Sequence, residues 1–413
     1  MTGSGIFLLP AALAVYGGIS LFGWLFTTIG TIFIALVFSR LSKLITKAGG
    51  PYAYSREGFG DFAGFLVIWG YWISIWCGNA AISVAGVGYM SVFIPSLKED
   101  YLLSAALAIA AIWIFTFINT KSIRSVGMVQ LITTILKILP LLLLGTFGFL
   151  YLNIDNFTPL NISGKSNFDA ITATAALTLW AFLGLESATI PSDKVIKPTK
   201  TIPRATVVGL LIAAIMYISS TVAIMGIIEP AELQNSTAPF ADAAQKAWGN
   251  WAYHLIAIGA IISCFGALNG WILIQGQLPM AAAKDKLFPS SFKKVSKKGI
   301  PIIGILIASV LASVLVGMNF SKGLVKMFSF IIMLATLTCL LPYLFSSLSE
   351  LMLYFRKKEA YNRKKLIVAT CISIPAFLYS LWAITGLGWE IIGWGVLLLA
   401  MGVPIYGFMV TRK

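Results

Sequence analysis

A handful of polar side chains sit where they could do chemistry in an otherwise apolar chain. Glu186 is the one acid deep inside an apolar run, in TLWAFLGLESATIPSDK, and Lys137 is the one base so placed, in TILKILPLLLL. A charge in such surroundings is costly to keep, so each is a candidate proton carrier. Small residues interrupt the same kind of run at two places, Gly3-Ser4-Gly5 and Gly184-Leu185-Glu186-Ser187, the latter with Pro191 beyond. Glycine frees the backbone and serine bonds it locally, so both clusters mark helix breaks. Freed amides at the start of a half-helix attract a carboxylate, and freed carbonyls attract an ammonium. Trp180 and Trp271 fall mid-run, where an indole face holds a cation for roughly 0.5–2 kcal/mol. The set suits holding a small charged molecule. It does not suit cutting one, because a lone histidine, His254, and four scattered cysteines assemble neither a nucleophile–base pair nor a metal site.

The elements that must position these residues follow from composition. Hydrophobic residues make up 58% of the chain and charged ones 11%, against about 25% charged in a soluble domain. The chain cannot cover a water-facing surface and reads as an all-α integral membrane protein. Eleven full spans are expected, at about 20–42, 62–95, 101–119, 126–152, 170–191, 204–228, 251–282, 301–318, 324–349, 366–386 and 390–410. The run 6–17 is too short to cross and reads as half a helix. With that half-helix pointing outward, 24 loop lysines and arginines fall on the cytosolic side and five on the outer side, so the C-terminus is expected in the cytoplasm. The net charge of +15 lies in short clusters between apolar runs, not on one face, which speaks against a nucleic-acid partner.

With the half-helix counted as span one, the two breaks fall in spans one and six. Paired breaks in corresponding spans of two halves mark the binding site of a transporter, and a five-plus-five inverted repeat puts them there. One transmembrane domain, 1–413, is expected, with repeat one at about 1–152, repeat two at about 170–349 and two extra spans within 366–410. The competing reading of a Gly-Ser cluster is a notch for close helix packing. The five-span spacing and the acid in the second cluster favour a site. A channel would show rings of like charge or a carbonyl filter. A receptor would carry a sizeable soluble segment, and the loops here are short.

GSGIFLLPAALAVYGGISLFGWL, GGPYAY with GFG, WCGNAAISVAGVGYMS, TLWAFLGLESATIPSDKVIKPTKTIPRAT and NGWILIQGQ together resemble bacterial basic amino acid/polyamine antiporters of the amino acid–polyamine–organocation superfamily. The likeness is nearest to arginine/agmatine and lysine/cadaverine exchangers and runs nearly end to end. It implies about 12 spans, an inverted five-helix repeat of the LeuT type and alternating access. It further implies exchange of a basic amino acid (arginine, lysine or ornithine) for its decarboxylated amine (agmatine, cadaverine or putrescine). The GSG stretch would be the unwound middle of the first span. A cytosolic half-helix is then expected before Met1, and the fold is expected here with the first half of span 1 missing.

By the same resemblance Ser4 and Gly5 meet the substrate's α-amino and carboxylate groups. Trp180 and Trp271 line and cover the pocket, and Asn79 contacts the substrate's side chain. Glu186 is the proton-sensitive glutamate, Tyr52 lies near an inner pH-responsive region, and Tyr71 and Tyr343 fall where gating tyrosines occur. A place in an interfacial aromatic belt is the alternative for Trp180 and Trp271, and a purely structural or packing role for the others. Lys137 stands where other branches of the superfamily place an ammonium in lieu of a sodium ion. That keeps a second function open, a proton-coupled amino acid symporter using Lys137. Ser74 and Ile75 before Asn79, and Ala335 where the arginine type has a hydroxyl, leave the set that reads a guanidinium incomplete. No enzyme activity and no cofactor are expected. The expected partners are small-molecule amino acids and amines and the lipid bilayer of a bacterial inner membrane, with a homodimer left open.

Overall fold

Among the described residues, ten stretches are helical, long and apolar enough to cross a bilayer. They come from a computed structural model that describes residues 4–47, 49–121, 138–190, 195–356 and 363–411. The first half holds α1 (Leu9–Ala14), α2 (Ser20–Leu44), α3 (Pro51–Phe59), α4 (Asp61–Met90) and α5 (Tyr101–Lys121). A short apolar helix, α6 (Ile138–Tyr151), follows. The second half holds α7 (Asn167–Phe182), α8 (Pro198–Ile227), α9 (Pro230–Leu233), α10 (Pro239–Trp248), α11 (Asn250–Lys284), α12 (Ile302–Asn319) and α13 (Leu324–Arg356). It ends with α14 (Arg363–Thr385), α15 (Trp389–Ala400) and α16 (Gly402–Val410). Among the described residues there is no strand.

The eleven expected full spans become ten because the one at 126–152 is described only as α6, which is too short alone, while 122–137 lie outside the described residues. Lys137 is among the residues outside. The span expected at 62–95 stops at Met90, since Pro95 opens a separate 3-10 turn, Pro95–Lys98. The span expected to end at 349 continues to Arg356, carrying the acid Glu350, which is buried against Arg40.

The second expected break is present; of the first, Gly3 lies outside the described residues. The chain from Ser4 to Ile6 is a 3-10 turn that leads into the six-residue α1. On the other side, Ser166 caps α7 by accepting from the Asp169 N–H. The helix stops at Phe182, Gly184 takes φ +97°, and a 3-10 turn, Ser187–Thr189, follows. Only glycine adopts that φ readily, so Gly184 ends the helix at this point.

α4 is the central column. In its most apolar stretch 89% of the residues are buried, against 17% in the stretch formed by α15 and α16. α4 packs on α13, α11, α5 and α12, while α2 packs on α7 and α8. Without a hydrophobic drive between helices in lipid, close packing and side-chain hydrogen bonds hold such a bundle. One chain of bonds runs through four of the helices. Asn79 on α4 donates to Gln275 on α11 at 2.7 Å, Gln275 donates to Ser309 on α12 at 2.9 Å, and Ser309 pairs with Thr116 on α5 at 2.6 Å. Around the outside Leu25, Ile215, Val310, Leu378 and Val396 stand exposed, as a lipid-facing surface requires.

Candidate substrate site

The two breaks meet at one small cavity, about 60 Å³, in the middle of the bundle. Gly5 comes from the first break, and Leu183, Gly184 and Glu186 come from the second. α4 contributes Tyr71, Ser74, Ile75, Gly78 and Ile82, whose spacing puts them on one helical face. Trp180 enters from α7, Trp271 from α11 and Cys339 from α13.

Glu186 is 0% exposed. A carboxylate buried alone would be very costly, and three donors answer it. Tyr71 Oη donates to Oε1 at 2.7 Å and Tyr343 Oη donates to Oε2 at 2.6 Å. The Gly184 N–H reaches both oxygens, at 3.1 and 3.2 Å. That amide is available because the helix has ended. Glu186 and the two tyrosines thus join the break to α4 and α13.

Trp180 sits in a slot between two glycines. A Cβ on Gly5 would lie 2.8 Å from the indole Nε1, and one on Gly78 would lie 3.1 Å from Cη2. The Trp180 Nε1–H is buried and has no hydrogen-bond partner among the described residues. A donor left unpaired beside a cavity is one that a ligand's acceptor can satisfy. Trp271 is half-buried and also lines the cavity.

The structure therefore brings Gly5, Trp180, Trp271, Glu186 and Tyr71 to one cavity, with Tyr343 directly behind Glu186. Ser4 lies in the same 3-10 turn as Gly5. Asn79 is not on the cavity wall. It is 0% exposed and stands at the edge of the face that carries Ile75 and Ile82, turned toward α11, where its amide donates to Gln275. Tyr52 is also elsewhere, on α3 outside the spans, where its hydroxyl donates to Asp285 Oδ2 at 2.6 Å just past the end of α11. Arg56 Nη1 lies 3.0 Å from the same carboxylate and its Nε binds Asp61 at 2.7 Å. Burial, then the hydrogen bond and charge of Asp285, hold the Tyr52 phenol far above its ordinary value of 10.0. Lys137 lies outside the described residues.

Several contributors escape a sequence reading. Cys339, not Ala335, is the α13 residue on the wall; it stands one turn before Tyr343, and that spacing was the available signal. Asp285 is the lone acid among lysines in AAAKDKLF. Tyr89 has no such mark, yet its hydroxyl donates to the Phe7 carbonyl at 2.8 Å and accepts from the Phe240 N–H at 3.2 Å. Phe7 packs on both rings, with centroids 5.6 Å from Tyr89 and 5.0 Å from Phe240. The unwound segment after Gly5 is thereby pinned beneath α10.

Known proteins match this sequence along most or all of its length. The amino acid permease family profile matches residues 1–409. The chain is 33% identical over 414 residues to the putrescine transporter PotE of Haemophilus influenzae, covering 99% of this chain and 94% of that protein. It is 32% identical over 416 residues to PotE of Escherichia coli, covering 100% of this chain and 93% of that protein. It is 35% identical over 356 residues to a cadaverine/lysine antiporter of Escherichia coli, covering 84% of this chain and 79% of that protein. A multi-pass helical bundle with two broken helices facing one cavity, matched from end to end by carriers, has one family assignment: the chain belongs to the amino acid permease family of the amino acid–polyamine–organocation superfamily.

Proposed function

We propose that the protein exchanges a linear diamine, putrescine or cadaverine, for the basic amino acid that yields it on decarboxylation, ornithine or lysine. The observation that carries this reading is the pairing of Glu186 with two indoles across one narrow cavity. A diamine carries an ammonium at each end of four or five methylenes. One ammonium suits the Glu186 carboxylate, the indole faces suit a cation, and Ile75, Ile82 and Leu183 suit the methylenes between. The amino acid adds an α-carboxylate, for which the Trp180 Nε1–H and the freed backbone at Gly5 are the available donors. The relatives that match are named for putrescine, cadaverine and lysine, which favours these substrates over arginine and agmatine.

Alternating access would operate between two repeats, about 1–152 and 170–349, with Glu186, Tyr71 and Tyr343 as the barrier beneath the cavity and the Tyr52–Asp285–Arg56 contacts as the closure nearer the cytosol. The excess of lysine and arginine in those loops favours the cytoplasmic side of a bacterial inner membrane for that closure and for the C-terminus.

The test is competition. Exchange of labelled putrescine in proteoliposomes should be inhibited by unlabelled putrescine, cadaverine, ornithine and lysine at lower concentrations than by agmatine or arginine. Stronger inhibition by arginine and agmatine would overturn the substrate assignment.

A further inference from the structure

A second cavity, far larger at about 640 Å³, opens at the end of the bundle that carries the basic loops. It lies where α2 ends, α13 ends and α14 begins, with α3 alongside. Its walls combine apolar side chains, Leu44, Ile45 and Leu353, with a charged rim. The rim holds four bases, Arg40, Lys43, Lys47 and Lys365, and two acids, Glu57 and Glu350. Both acids are engaged. Glu350 takes Arg40 through two hydrogen bonds, at 2.6 and 2.8 Å, and Glu57 takes Lys47 at 2.6 Å. Among the described residues no carboxylate lies within 4.0 Å of the Lys43 or the Lys365 ammonium, and both side chains are exposed. Two bases are thus left over at the mouth of a cleft with apolar walls.

The surroundings point to what fills it. Leu44 on its wall, and Phe355, Ile367 and Val368 on the same helix ends as Leu353 and Lys365, stand exposed, so the cleft opens where apolar span ends suited to lipid meet water. A free anion has no use for an apolar wall. A phospholipid brings a phosphate and acyl chains together, and basic pockets between spans on the cytoplasmic side suit that combination. We propose that this cleft binds an anionic phospholipid, with Lys43 and Lys365 holding the phosphate and Leu44, Ile45 and Leu353 taking the upper acyl chains. The lipid bridges the end of α2 to the start of α14, beside the Arg40–Glu350 tie between α2 and α13. The inference needs only that the spans cross a bilayer, and is independent of the substrate assigned above.

The experiment uses the purified full chain in a neutral detergent. Thermal unfolding is followed with phosphatidylglycerol, phosphatidylcholine or inorganic phosphate added. Phosphatidylglycerol should raise the Tm by an amount that grows with its concentration, as mass action requires, and native mass spectrometry should show it retained. The double variant K43Q/K365Q should melt like the wild type without lipid, which controls for folding. Its apparent affinity for phosphatidylglycerol should be about thirty-fold weaker, from two basic side chains at the membrane surface. An equal shift with phosphatidylcholine would overturn the proposal, as would an undiminished response in the double variant. An equal shift with inorganic phosphate would also overturn it, by making this a site for free anions.

Discussion

Glu186 meets three donors and the Trp180 Nε1–H meets no acceptor, and those two facts set the predictions at the scale of residues. Trp180→Ala removes a cation–π face worth roughly 0.5–2 kcal/mol, so putrescine should bind about 2- to 30-fold more weakly in titration calorimetry. Gly5→Ala should do similar harm without touching the indole chemically, because its Cβ would stand 2.8 Å from Nε1 and drive the ring from its slot. Glu186→Gln turns an acceptor into a partial donor against two tyrosine hydroxyls. Loss of a charge-assisted contact of about 1.5–3 kcal/mol predicts roughly 10- to 160-fold weaker diamine binding. An unchanged affinity in Trp180→Ala and Glu186→Gln alike would mean that the ligand lies elsewhere. Glu186 and Trp180 were legible because an acid and an indole stand out in an apolar run. Cys339 was not, since a small apolar residue is marked only by the helical face it lands on. The polarity of Asn79 stood out in the same way, but its partner, Gln275 on α11, could not be read from the sequence.

At the scale of elements, the breaks could be read from Gly3-Ser4-Gly5 and Gly184, but what their ends touch could not. The partners of a freed backbone come from distant helices, such as Tyr89 for the Phe7 carbonyl. The contact between α3 and the end of α11 is of this kind, and its pH behaviour can be worked out. A phenol whose folded value is raised contributes stability that is fully present below its unfolded value near 10 and is lost only as pH rises through the folded one. Tyr52 therefore stays a neutral donor to Asp285 up to and beyond the ordinary phenol value near 10. Tyr52→Phe should lower the exchange rate while leaving the midpoint of its pH profile in place; a displaced midpoint would show that the phenol itself titrates. At the same end, Arg40 ties α2 to α13 through Glu350, which is 2% exposed. Arg40→Ala should cost about 3 kcal/mol, the low end for a buried pair because Arg40 is itself 27% exposed. Replacing both partners by methionine should cost less than the single change, as thermal unfolding of the three proteins can check.

For the whole molecule, hydropathy carried most of the architecture, because a bilayer demands long apolar helices and charges its loops unevenly. Ten of the expected spans reappear as helices of crossing length. What hydropathy could not show is that two of them, α4 and α13, line the site while α15 and α16 stay at the rim, since the mean hydropathy of the stretch formed by α15 and α16 lies between those of α4 and α13. The central claim is that one cavity serves two substrates in turn, moving one in as the other moves out. Counterflow tests it most directly. Proteoliposomes loaded with ornithine or lysine should take up labelled putrescine rapidly, empty ones should not, and Glu186→Gln should lose the difference. Sustained uptake into empty vesicles under an inward proton gradient, abolished by Lys137→Ala, would contradict exchange and make the protein a proton-coupled symporter.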